Sequence, residues 1–282
     1  MRILWLALLF VPWMADADDL TELTWVVAPY PPFHIAEGPL AGKGMVDVVV
    51  PHMQAAVSGF HHVIGVMTDS RSWQEIREGR NVCQPAVLKT PERERVAVFS
   101  EAGAIVPSMV LIMRAEQKQR LFGKRKTIAL REVLENPTLR IGMITERAYG
   151  EVDSMLRAQH NSERLIQVSN NYGPLSLLRM LNSGRIDAVV EYPWIVRYVA
   201  MGLSDMQSLS TMGIDELQPF FRSYVACPNT DVGREVIRQL NVWIRTQLPL
   251  DANRRIVGDW LDPDTLERYQ AAYEQMIAPV TR

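Results

Sequence analysis

The sequence predicts an α/β protein built as two lobes, each a mostly parallel sheet flanked by helices, with two strands passing between them. Three observations carry this. An alternating strand and helix order fills the N-terminal part, restarts after a charged central segment, and is followed by a late strand that leads into C-terminal helices. Alternating order favours parallel strands, because a parallel crossover needs an intervening helix. The 282 residues are 48% hydrophobic and 22% charged, which gives enough apolar chain for two such units. With a formal net charge of -2, no basic excess suggests nucleic acid and no acidic tail suggests a polycation.

The elements follow in order. Leu23 to Ala28 reads as a buried strand, and a proline-rich loop, PYPPFHIAEGPLAGKG, comes after it. Met45 to Val57 has apolar residues at helical spacing, with Pro51 expected to kink or shorten the helix. His62 to Met67 is a second strand, Ser72 to Glu78 a helix ended by Gly79, and Val82 to Leu88 a third strand. In KTPERERVAVFS, Thr90 suits a helix cap, Pro91 the first helical position, and Glu92 the positive end of the dipole. Ile105 to Met113 reads as one long strand before the charged segment RAEQKQRLFGKRK. The order then restarts: strand Leu139 to Ile144, helix Tyr149 to Gln159, strand Leu165 to Val168, helix Pro174 to Leu181, strand Asp187 to Glu191 and a helix through PWIVRYVA. Strand Phe221 to Ala226 precedes helices Val232 to Gln247, Ala252 to Trp260 and Thr265 to Ala278.

The N-terminus reads as a secretory signal peptide, residues 1–17. Met1-Arg2 is basic, Ile3 to Val11 is apolar, and Ala15-Asp16-Ala17 offers a small-residue cleavage site. The apolar run is short of the ~20 residues that a membrane span requires. No cysteine lies there to carry a lipid anchor, so the expected location is the periplasm. In that oxidising compartment Cys83 and Cys227 are candidates for one disulfide, the alternative being two buried thiols. The five histidines (His34, His52, His61, His62 and His160) are scattered, and adjacent His61 and His62 point to opposite faces of a strand. No metal site or cofactor is expected. Nor is there a nucleophile elbow, and GKG at Gly42 to Gly44 lacks the P-loop spacing.

Ligands in open α/β sheets sit beyond the carboxyl ends of the strands. Those ends carry PYPPF, LKTPER, TERAYG and EYPW, all rich in aromatic, hydroxyl or charged groups.

These segments resemble the extracytoplasmic solute-binding proteins of family 3, a group with a two-lobed periplasmic-binding-protein-like fold. YPPF at Tyr30 to Phe33 is similar to the family's first cleft loop, and GKGMVDVVVPHMQAAV to the Gly and Asp that open its first helix. SWQEIREGR matches its Trp-containing helix, TPERERVAVFS its Thr-x-x-Arg turn, and LLRMLNSGRIDAVVEY its Gly-Arg-x-Asp-Ala strand. The resemblance implies a discontinuous lobe 1 of residues 18–107 and 226–282, and a lobe 2 of 108–225 with the hinge strands. It would place Cys227 in or near the lobe that holds Cys83. It also implies that Arg93 clamps a ligand carboxylate, for which a planar guanidinium is well shaped; the competing role is an Arg-Glu pair within the turn.

The expected ligand-binding set is Tyr30, Phe33, Leu88, Thr90, Arg93, Thr145, Arg147, Glu191 and Tyr192. The sequence departs from the family at three of these places. Tyr192, preceded by Glu191, stands where an Asp holds the amine of a bound amino acid. Leu88 replaces a small or hydroxyl residue, and ITERAYG replaces a Gly-Thr-Thr turn. A carboxylate ligand with a different other end, amino-acid-like or aromatic, is the expectation. The function expected is a monomeric receptor, not an enzyme, that closes on its ligand and presents it to an ABC importer. The alternatives are a receptor for a membrane signalling protein, or a lyase of the cyclohexadienyl dehydratase type with Glu191 or Glu146 as its acid.

Overall fold

The computed structural model describes residues 20–29, 31–145, 147–169, 173–202, 208–247, 256–261 and 263–277. The expected signal peptide, Tyr30, Glu146 and the start of the helix expected from Ala252 lie outside them.

The first sheet has the order β2-β1-β3-β12-β4, with β5 paired to β12. Strands β1 (Glu22–Val27), β2 (His61–Val66) and β3 (Val82–Val87) are parallel and are joined by helices α1 (Met45–Ala56) and α2 (Asp69–Arg77). One face of β1 is apolar throughout, and Val26 is the buried apolar residue of the other. Leu23, Trp25 and Val27 meet Val46, Val50 and Met53 of α1 and Leu240 of α9 (Asp231–Gln247); Val26 meets Trp73 and Ile76 of α2. Each fully buried Leu or Val in such a core contributes about 1.5–3 kcal/mol. α1 runs on through Pro51 to Ala56, so the proline does not shorten it. A short helix α3 (Pro91–Glu94) precedes β4 (Ala97–Phe99).

The predicted strand Ile105 to Met113 is two strands, β5 (Ala104–Pro107) and β6 (Val110–Arg114). They are divided at Ser108, whose N–H and hydroxyl donate to the carbonyls of Pro219 and Gln218. Apolarity alone could not locate this break, because Met109 is as buried as its neighbours. β12 (Phe220–Pro228) is the return strand. Its first half pairs with β5 and its second half with β3 and β4, all antiparallel. Two strands therefore pass between the lobes. Cys83 of β3 and Cys227 of β12 are disulfide-bonded, with Cα atoms 4.4 Å apart. The bridge lies within the first sheet, at the end of β12 that pairs with β4 and away from the end that pairs with β5.

The second sheet has the order β7-β11-β6-β10-β8-β9. β7 is Thr127–Ile128, β8 Ile141–Ile144, β9 Leu165–Val168, β10 Ala188–Glu191 and β11 Leu209–Ile214. Pairs β8–β9, β8–β10 and β7–β11 are parallel, whereas β6 runs antiparallel to β10 and β11 at the centre. Helices α4 (Ala115–Phe122), α5 (Leu130–Glu135), α6 (Asp153–Arg157), α7 (Gly173–Asn182) and α8 (Trp194–Gly202) complete this lobe. The segment expected as a helix from Tyr149 instead begins as a 3-10 turn at Gly150–Val152. Asp187, expected to be structural, accepts from the Arg140 N–H (2.9 Å) and guanidinium (3.2 Å) and from Gln117 Nε2 (3.0 Å).

The C-terminal chain divides. α9 packs on the first lobe, against β1 and α1. Residues 256–261 and α10 (Pro263–Ile277) pack instead with the second lobe and the crossing strands. The Trp260 ring lies 6.0 Å from Tyr198 of α8, Arg197 Nε donates to the Asp259 carbonyl, and Tyr269 lies 6.1 Å from Phe220 of β12.

Candidate functional site

The cleft between the lobes is lined by loops at the carboxyl ends of strands from both sheets. Its polar cavity, of about 70 Å³, has Val26, Asp69, Gln84, Leu88 and Arg93 on the first lobe and Arg147, Ala148 and Tyr192 on the second, with Phe33 at its side.

On the first lobe, the loop after β1 is folded back onto α1 by one carboxylate. Asp47 accepts from the N–H groups of Ile35 (2.9 Å) and Gly44 (3.0 Å) and meets His34 Nδ1 at 2.5 Å. Gly44 has no room for a side chain: a Cβ would lie 2.4 Å from the Phe33 carbonyl oxygen. Phe33 is thereby held against Trp194 of the opposite lobe, edge to face at 5.4 Å.

Arg93 follows the cap formed by Thr90, whose hydroxyl accepts from the Arg93 N–H. Its guanidinium donates to the Leu88 carbonyl at 2.9 Å and lies 4.4 Å from the Trp73 ring centroid. Among the described residues no carboxylate stands within ion-pair distance of it, so the Arg-Glu pair in the turn does not form. Lys89 takes Glu94 instead, at 2.8 Å. Burial lowers the Arg93 pKa from its ordinary value, and nearby Asp69 and Tyr192 oppose that shift. The floor beside it is a hydrogen-bonded chain. The Ser72 hydroxyl donates to Gln84 Oε1 (2.7 Å), and Gln84 Nε2 donates to Asp69 Oδ1 (2.8 Å).

On the second lobe, Arg147 and Glu191 form a buried ion pair, and the second Glu191 oxygen accepts from the Tyr192 N–H at 2.8 Å. Both carboxylate oxygens are therefore engaged within the protein. Arg157 fixes the loop by donating to the carbonyls of Thr145 (3.1 Å) and Arg147 (2.9 Å), while the Tyr149 hydroxyl accepts from the Ile144 N–H (2.6 Å). Tyr192 stacks on Trp194 at 4.3 Å, with the Arg147 guanidinium 5.9 Å from its ring. Burial, the largest influence, pushes the Tyr192 phenol up to about 12.

Of the expected set, Phe33, Leu88, Arg93, Arg147 and Tyr192 converge on this cavity. Thr90 is a helix cap, and the Thr145 hydroxyl donates to the Val168 carbonyl at 3.2 Å. Glu191 is buried behind Arg147 and is not among the residues that line the cavity. Several wall residues escaped the sequence reading, among them Asp69, Gln84 and Ala86. Asp69 was within reach, because MTDS also sits at the carboxyl end of a strand. Ala86 was not. It takes a φ of +59° where β3 and β12 slip register, a backbone state that costs an Ala about 1–2 kcal/mol.

A second, apolar cavity of about 80 Å³ adjoins the first behind Phe33, Leu88 and Tyr192. It extends beneath α1 and α9, between Val49, Met53, Leu240 and Trp243.

No family model matches the chain, and no curated protein matches it by sequence. Solved structures do match its fold. A histidine kinase sensor domain with similarity to periplasmic binding proteins superposes with a TM-score of 0.63 at 15% identity, over 86% of this chain and 96% of that one. The BvgS periplasmic domain of B. pertussis gives 0.61 at 18% identity, over 92% of this chain and 47% of that one. An amino acid ABC transporter substrate-binding protein, AbpA of Streptococcus pneumoniae bound to L-arginine, gives 0.61 at 14% identity, over 85% and 94%. The chain has the two-lobed α/β fold that these binding proteins and sensor domains share.

Proposed function

We propose that the protein is a non-enzymatic extracytoplasmic receptor whose lobes close on a small carboxylate-bearing ligand. One observation carries the reading: the Arg93 guanidinium is held by a carbonyl and a ring, pairs with no carboxylate among the described residues, and lines a cleft completed by the opposite lobe. A guanidinium so placed can take a carboxylate through two parallel hydrogen bonds. Asp69 lines the same cavity and supplies a negative group for a ligand amine, from the first lobe rather than from the Tyr192 position. The engaged carboxylate of Glu191 favours binding over acid catalysis.

Closure on ligand would present a shape to a membrane partner. An ABC importer is the leading partner. A membrane signalling protein is the second reading, favoured by the sensor domains among the structural neighbours. Among the described residues no helix is long and apolar enough to cross a membrane, in keeping with a partner that does.

The test is thermal denaturation of the full chain with each L-amino acid and a set of aromatic carboxylic acids. A bound probe at 100 times its Kd should add about 2.7 kcal/mol. Arg93→Gln should abolish the gain while melting cooperatively without ligand. Unchanged binding by the variant would remove the carboxylate clamp from the account.

A further inference from the structure

We propose that the apolar cavity behind the cleft receives the tail of the bound ligand, so that the receptor selects an amphiphile: a carboxylate head with an unbranched hydrocarbon or flat aryl tail. The inference rests on the receptor reading above and specifies its ligand class.

The first support is continuity. Phe33, Val46, Ala86, Leu88 and Tyr192 line both cavities, so the apolar chamber opens from the wall that carries the Arg93 site. The two spaces differ in chemistry. Around the front one stand Asp69, Gln84, Arg93 and Arg147, whereas no charged residue is among those that line the rear one. Its wall is Met45, Val49, Met53, Leu240, Trp243 and Ile244 on one side and the crossing strands on the other.

The second support is what such a space prefers to hold. A buried water needs two to four polar partners. Three hydroxyl-bearing residues besides Tyr192 line it, Ser100, Ser223 and Tyr224, and the Ser100 hydroxyl already donates to the Glu101 carbonyl and accepts from the Val225 N–H. Apolar cavities of ~150 Å³ stay dry and admit a benzene-sized guest. The rear chamber at about 80 Å³, opening into a cleft of about 70 Å³, is of the size for a short tail with its head outside. Methionines at Met45 and Met53 give walls that can adjust to a guest.

The third support is the departure at position 88. Leu88 places an isobutyl group at the junction of the two cavities, beside the carbonyl that holds Arg93. A hydroxyl there would favour a polar ligand stem; an isobutyl group favours a hydrocarbon one.

The experiment is isothermal titration of the full chain with butyrate, hexanoate and octanoate, and with alanine, norleucine and 2-aminooctanoate. Two variants fill the chamber from opposite sides: Val49→Phe on α1, and Gly103→Val at the crossing strands. A Cβ at Gly103 would meet Ile244 at an ordinary 3.7 Å, so the first atom of the new side chain fits without displacing a neighbour. In the unaltered protein, affinity should rise about fourfold per methylene within at least one series, up to the length that fills the chamber. Both filled variants should lose the rise and keep the affinity for the shortest probe. Equal affinity along both series, lost together in Arg93→Gln, would overturn the tail site and leave the receptor reading intact. A rise that persists in both filled variants would also overturn it, by placing the tail elsewhere.

Discussion

The two walls of the cleft each carry an arginine, and the two arginines are handled in opposite ways. Arg147 on the second lobe is neutralised by Glu191 within the same wall, with both groups almost entirely out of water. Arg93 on the first lobe is positioned by the Leu88 carbonyl and the Trp73 face, contacts that orient a guanidinium without cancelling its charge. A closed ion pair contributes rigidity and little attraction for a third charge. An uncompensated guanidinium beside polar groups contributes attraction. Under the proposed function, the first wall recognises the ligand and the second shapes the cleft. The walls are also stiffened differently: Cys83–Cys227 ties β3, the strand that carries Ala86, to β12, while the second wall relies on Arg147–Glu191 and on Arg157 holding the loop carbonyls.

The comparison breaks most visibly at Glu191. Removing one partner of a buried pair leaves an uncompensated charge, which costs about 3–5 kcal/mol. Glu191→Ala should therefore lower unfolding stability by about that amount in urea titrations. The double variant Arg147→Met with Glu191→Leu should recover most of the loss, because replacing both charges by apolar groups is close to neutral. A single variant as stable as the unaltered chain would show that the pair does not stiffen this wall.

The staple in the other wall gives a slightly smaller expectation. Cys83 and Cys227 are 144 residues apart in sequence, for which loop entropy alone predicts about 5 kcal/mol, and measured losses run about 2–5 kcal/mol. Cys83→Ala with Cys227→Ala should lose stability in that range while binding through Arg93 survives. If the double alanine variant binds no probe at a temperature where it remains folded, the first wall depends on the bridge for its recognition geometry as well.

The architecture was readable in the sequence because alternating β and α segments are local signals. Strand Leu165–Val168 has the bounds that its apolar pattern indicated, and α1 and α9 lie within a residue or so of theirs. What the pattern missed depends on partners distant in sequence. β11 (Leu209–Ile214) contains Ser210, Thr211 and Gly213, and is a strand because it pairs with β6 and β7. The break at Ser108 is set by carbonyls of Gln218 and Pro219 on the returning strand. The same distinction holds at the site. The resemblance of the Thr90 to Arg93 turn to the family's Thr-x-x-Arg turn pointed to Arg93, which lines the cavity. The pairing of Glu191 was not legible, because it is decided by an arginine 44 residues away; Asp69 could be placed at a strand end, but not its bond to Gln84, 15 residues away. The split of the C-terminal chain between lobes likewise follows from contacts of Trp260 and Tyr269 with α8 and β12.

Alkaline pH offers the finest test of the contrast, since Tyr192 sits between the two arginines. Its phenol is pushed up to about 12, by burial first and by Glu191 and Asp69 after it, with Arg147 and Arg93 pulling the other way. The folded chain thus keeps this proton at a pH where the unfolded chain, with an ordinary tyrosine near 10, has released it. The contribution to stability is full below about pH 10 and is lost as pH rises from there toward 12. Tyr192→Phe carries no proton to lose. Its stability relative to the unaltered chain should therefore improve across that window and be constant below it. Tyr149, also held protonated by burial, is present in both proteins and cancels from the difference. A constant difference at all pH values would mean that Tyr192 is solvated in the folded state, and that the cleft is wider than the wall contacts of Tyr192 and Trp194 with Phe33 require.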